Sequence, residues 1–76
     1  MTLKEAKKGA ISEARNHGRY VYLTISKQTE IGWYVEREAT QRTVFLVYKD
    51  GSLELHCTDF ARNYQREHFP NIKMAK

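Results

Sequence analysis

One cysteine, one proline and four glycines in 76 residues are few, and each scarcity removes a class of protein. The lone cysteine, Cys57, makes no internal disulfide, so the fold is not a disulfide scaffold and needs no oxidising compartment. The longest apolar run, Val44 to Tyr48, is five residues, against the roughly 20 that a membrane-spanning helix requires. No charged stretch leading into an apolar one opens the sequence, so a cytoplasmic location and no membrane contact are expected. Internal repeats, low-complexity tracts and linkers are also absent. With 41% apolar and 29% charged residues, the composition excludes disordered and collagen-like chains.

Chemical signatures are equally sparse. No two of His17, His56, Cys57 and His68 stand at the short gaps that bring ligands onto one metal. His56 and Cys57 are adjacent on a strand pattern, so they face opposite ways and cannot act as a thiol–imidazole pair. Cys57 reads as a small core residue. Glu36 and Glu38 share one strand face, which Glu54 and His56 can join, but a flat sheet on so short a chain offers little depth to move a carboxyl pKa towards neutrality. There is no nucleophile elbow and no phosphate-cradling loop. We therefore expect no enzyme, cofactor or metal.

What is present is a fold pattern. The stretch from Thr43 to Cys57 holds a β-branched and aromatic run, Thr43 to Tyr48, then Leu53 to Cys57 alternating with period two, joined at Asp50-Gly51. That is a hairpin. A two-residue turn would pair Tyr48 with Leu53 and bury Val44, Leu46 and Tyr48. A type I turn with Gly51 as a bulge pairs Val47 with Leu53 and Phe45 with Leu55 instead. The second is preferred, because it adds Phe45 and Val47 to the inner set and leaves Tyr48 outside, with Val44 and Leu46. A slip of one residue would exchange the faces.

Upstream, Thr2-Leu3-Lys4-Glu5 matches a capping box, and the helix it opens should end at Gly18. Leu3, Ala6, Ala10 and Ala14 share its inner face, with Ile11 at the edge. Arg19 to Ser26 alternates as a strand, with Val21, Leu23 and Ile25 inside and Tyr20, Tyr22 and Thr24 outside. Lys27 to Glu30 is the turn. Ile31 to Glu38 is the next strand, with Ile31, Trp33 and Val35 inside, Tyr34, Glu36 and Glu38 outside, and Gly32 marking a bulge or a close backbone approach. After Cys57, Thr58 or Asp59 caps a short helix to about Glu67, ended by Phe69-Pro70. Residues 71–76 read as a loose tail. The chain is thus expected to be one α+β domain over residues 1–76. An N-terminal helix, a four-stranded antiparallel meander and a short C-terminal helix would make it up, both helices lying on one face.

Charge is distributed unevenly about the net +4. Lys4, Lys7, Lys8 and Arg15 exceed Glu5 and Glu13 at one end; Arg62, Arg66, Lys73 and Lys76 exceed Glu67 at the other. The middle is slightly acidic, so any basic surface belongs to the termini. Lys4, Lys8 and Arg15 fall in one stripe of the first helix and, with Arg62 and Arg66, are the candidate contacts for an anion or nucleic acid.

Two functions are expected from these features. The first is protein interaction through an open sheet face of Tyr20, Tyr22, Tyr34, Glu36 and Tyr48, or through an edge strand. The partner is another protein or a second copy. The second is nucleic-acid binding, with bases on the tyrosines and phosphates on the basic helix stripes. The acidic residues among the tyrosines favour the first. No motif carries a family. In size and make-up the chain resembles the accessory proteins of phages and plasmids, including inhibitors of host defence such as anti-CRISPR proteins. That likeness implies a regulator or inhibitor that blocks a larger machine by occupying its surface.

Overall fold

The computed structural model describes residues 1–26 and 32–69. Helix α1 (Leu3–His17) begins at the capping box. The Thr2 amide donates to Glu5 Oε1 at 2.9 Å, and the Glu5 amide donates to Thr2 Oγ1 at 3.2 Å. It ends at Gly18, which turns left-handed at φ 81° so that its N–H reaches the Ala14 carbonyl at 2.9 Å. Ala6, Ala10 and Ala14 are fully buried, and these small side chains let the helix lie close on the sheet.

Four strands follow: β1 (Val21–Ile25), β2 (Trp33–Glu36), β3 (Thr43–Val47) and β4 (Leu53–Leu55). Helix α2 (Asp59–His68) is the last element among the described residues, capped by Thr58 and ending at Phe69. All pairings are antiparallel, and the fold is the expected α+β arrangement. The hairpin takes the bulged register, with Val47 opposite Leu53 and Phe45 opposite Leu55. Gly51, at φ 91°, donates to the Tyr48 carbonyl at 2.9 Å, closing the turn. The expected turn at Lys27–Glu30, the inward Ile31 and the tail at residues 71–76 lie outside the described residues.

The sheet is not a meander: its order is β2-β1-β3-β4. The two strands buried most completely, β1 and β3, sit side by side in the centre, and the short β2 and β4 take the edges. A meander would have put β1 on an edge, exposing part of its apolar face. The consequence is that β2 and β3 run parallel, so residues 37–42 must cross β1. Helix α1 packs on the inner side of β1 and β2, which leaves the outer side for that crossing.

Of the bulge or close backbone approach expected at Gly32, only the approach is found there, and the bulge among the described strands lies in β3. Leu23 faces Phe45 and Thr24 faces Thr43, which leaves Val44 as the extra residue. Val44 is therefore fully buried in the core cluster, not on the outer surface. Gly32 instead precedes β2, its carbonyl accepting from the Ser26 amide at 2.8 Å.

Inside, Val21, Leu23, Ile25, Phe45 and Val47 meet the alanines of α1 and Ala61 of α2. Trp33 stacks on Phe45 at 5.8 Å, Tyr64 meets Trp33 edge-on at 5.6 Å, and Phe69 lies 5.9 Å from Phe45. Aromatic pairs of this kind add about 0.5–1.5 kcal/mol each beyond the area they bury. Both helices thus pack on one side of the sheet.

Candidate functional site

The opposite side of the sheet carries the residues singled out from the sequence. Tyr20 precedes β1 and Tyr48 follows β3, so the two rings meet across the central strand pair at 5.6 Å. Tyr22 stands edge-on to Tyr20 at 5.5 Å, and His56 stands edge-on to Tyr22 at 5.7 Å. Leu46 fills the row between Tyr22 and Glu54, opposite both in register. His56, which the alternation places near Glu36 and Glu54, stands in the bulged register as part of an aromatic cluster.

Tyr34 does not join them. It lies on β2 opposite Thr24, is 38% exposed, and makes no ring contact with the other three. The reason is register and strand order together: on neighbouring β1 Tyr22 stands opposite Glu36, not Tyr34, and Tyr48 follows β3, two strands away. Glu36 shares that side and accepts a hydrogen bond from Thr24 Oγ1 at 3.2 Å.

The crossing segment closes part of this face. Thr24 and Thr43 are fully buried although they stand on the outer side, and the Thr40 amide donates to Thr43 Oγ1 at 2.8 Å. The threonine hydroxyls are 3.1 Å apart. A carboxylate only accepts, so the Thr24 proton goes to Glu36, and Thr43 must then donate to Thr24. One directed chain runs from the Thr40 amide through both hydroxyls to the Glu36 carboxylate.

The remaining open patch is electrostatically divided. Arg19 Nη2 donates to the Tyr20 hydroxyl at 3.0 Å, and its guanidinium carbon lies 4.8 Å from the ring centroid. A hydrogen bond from Tyr22, followed by Arg19, holds the Tyr20 phenol below its ordinary value, while that same bond raises Tyr22. Tyr48 donates to Glu54 Oε1 at 2.8 Å, and this bond raises the Tyr48 phenol. Neither Glu36 nor Glu54 pairs with a lysine or arginine among the described residues.

The basic residues lie elsewhere. Lys4, Lys8 and Arg15 are exposed on α1 away from its alanine face, and Arg62 and Arg66 are exposed on α2, with Arg62 tied to Asp59. Tyrosines and basic stripes thus occupy opposite sides of the domain. No protein-family model, curated protein or solved structure matches this chain.

Cys57 is exposed, contrary to its expected place in the core, because it falls in the link between β4 and α2, past the last paired residue. No helix among the described residues is long and apolar enough to cross a membrane. Among those residues no group of three His, Cys, Asp or Glu is placed to hold a metal. Of the two sheet edges, β2 is partly met by the N-terminus, the Met1 carbonyl accepting from the Trp33 amide at 3.0 Å. The other edge is the three-residue β4.

Proposed function

We propose that this chain is a non-enzymatic protein-interaction domain, an accessory regulator or inhibitor that docks on a larger assembly through the outer sheet face. The observation that carries this reading is the cluster of Tyr20, Tyr22, Tyr48 and His56 on the side away from both helices. Tyrosine offers large contact area with few rotamers to freeze, and such clusters dominate binding energy at protein interfaces. The rings are already fixed against one another, which lowers the ordering cost of docking.

Nucleic-acid binding is the weaker reading, because a strand stacked on these rings would lie beside Glu54 and far from Lys4, Lys8, Arg15, Arg62 and Arg66. Contact through the helices alone would be mainly with phosphate and steeply salt-dependent. A co-purification from host lysate separates the two. A Tyr22→Ser/Tyr48→Ser variant should lose the captured protein, whereas Lys4→Ser/Lys8→Ser should keep it. Capture that survives the tyrosine changes, or a gel shift with RNA or DNA abolished by them, refutes the protein reading.

A further inference from the structure

Resting on that reading, we infer that the outer face is built to take an arginine side chain of its protein partner, seated on the tyrosine rings against the Glu54 carboxylate. Glu54 is half-buried on β4, its Oε1 accepts from the Tyr48 hydroxyl, and no lysine or arginine of the described chain pairs with it. A carboxylate satisfied by one phenol keeps acceptor capacity for the forked donors of a guanidinium. The walls around it are aromatic, and a guanidinium is attracted to such ring faces.

The molecule already contains an example of this contact. Arg19 lies over the Tyr20 ring and donates to its hydroxyl, so these rings accept a guanidinium in this setting. Arg19 occupies Tyr20 but does not reach Glu54, leaving the seat beside Tyr22, Tyr48 and Glu54 for an incoming side chain.

Charge selects the occupant. Glu54 has no basic partner among the described residues, and the basic stripes of the helices lie away from this face. A second copy meeting it face to face would bring no guanidinium but Arg19, which its own Tyr20 holds, whereas an arginine projecting from a partner supplies the missing cation.

The test is an NMR titration of the intact chain with the capped peptide acetyl-Gly-Arg-Gly-Arg-Gly-amide, with the glutamate counterpart as control. The arginine peptide should shift the ring signals of Tyr22, Tyr48 and His56, and the glutamate peptide should not. Glu54→Gln, which keeps size and an acceptor for Tyr48, should weaken binding about three- to tenfold, and Arg19→Ser should leave it equal or strengthen it. Equal affinity for Glu54→Gln, shifts confined to the helix carboxylates Glu5, Asp59 and Glu67, or shifts that track protein concentration without peptide would each overturn the inference. If those results coincide with capture lost in Tyr22→Ser/Tyr48→Ser, only the arginine seat falls. If the peptide binds as stated and capture does not depend on the tyrosines, the proposed function falls instead.

Discussion

Replacing Thr24 by valine removes one hydroxyl and keeps the side-chain volume, so no cavity enters the cost. Thr24 is 0% exposed and stands between Thr43 Oγ1 at 3.1 Å and Glu36 Oε2 at 3.2 Å. Without it the Thr43 proton has no acceptor in a site closed to water, and a buried polar group left unsatisfied costs about 1–3 kcal/mol. A domain this small has a total stability on the order of 4–11 kcal/mol, so the loss is a large share. With a urea m value of about 1 kcal/mol/M, the midpoint should fall by roughly 1–3 M. Thr43→Val should cost less, because Thr24 still donates to Glu36 and the Thr40 amide that loses its acceptor belongs to an exposed residue. The double variant should cost less than the two together, because it removes the Thr43 hydroxyl that Thr24→Val orphans and leaves the Thr40 amide at an exposed residue. Coupling of about 0.5–3 kcal/mol in that cycle is expected for direct partners. A Thr24→Val change within about 0.5 kcal/mol of the parent, the range of an ordinary surface substitution, or strict additivity of the two changes, would show that the directed chain does not exist.

Gly9→Ala and Gly51→Ala should move stability in opposite directions in the same urea assay. A methyl on Gly9 meets Val35 Cγ2 at 3.8 Å, an ordinary contact inside α1, and the change should stabilise by about 0.5–1 kcal/mol. At Gly51 space is also adequate, the nearest atom being Ile11 Cδ1 at 3.7 Å, but φ is +91°, and strain should cost about 1–2 kcal/mol. The Thr2 amide and hydroxyl hold the Glu5 carboxyl below its usual value of 4.5. A depressed carboxyl contributes stability above its unfolded pKa and loses it as pH falls through the folded one. The stability gap between the parent and Glu5→Gln should therefore narrow as acid unfolding is carried below pH 4.5. Exposed Cys57 should react with a thiol reagent at the rate of an unfolded control, and protection beyond about tenfold would place it back in the core.

Much of the chain was legible where the signal was local. The Thr2–Glu5 box, the Gly18 stop and the Thr58 cap each depend on residues within four positions, and each appears where its pattern stands. The hairpin register was decided by Gly51, since only the bulged turn puts Phe45 and Val47 on the side of Val21 and Leu23. Of the candidate site, the outward Tyr20, Tyr22 and Tyr48 followed from that same alternation.

Period-two patterning says which way a side chain points and is silent on which strand lies beside it. Strand order is a choice among long-range pairings, and here burial of β1 and β3 against each other outweighed the short connections a meander would use. That choice set Tyr34 two strands from Tyr48, made Val44 the bulged residue, sent residues 37–42 across the outer face and sealed Thr24 and Thr43 beneath them. The chain alone determined its helices, its turn and the direction of each tyrosine. Only the packed structure decided which tyrosines touch, because neighbours across a sheet are set by which apolar surfaces gain most from meeting, and no local run of residues encodes that sum.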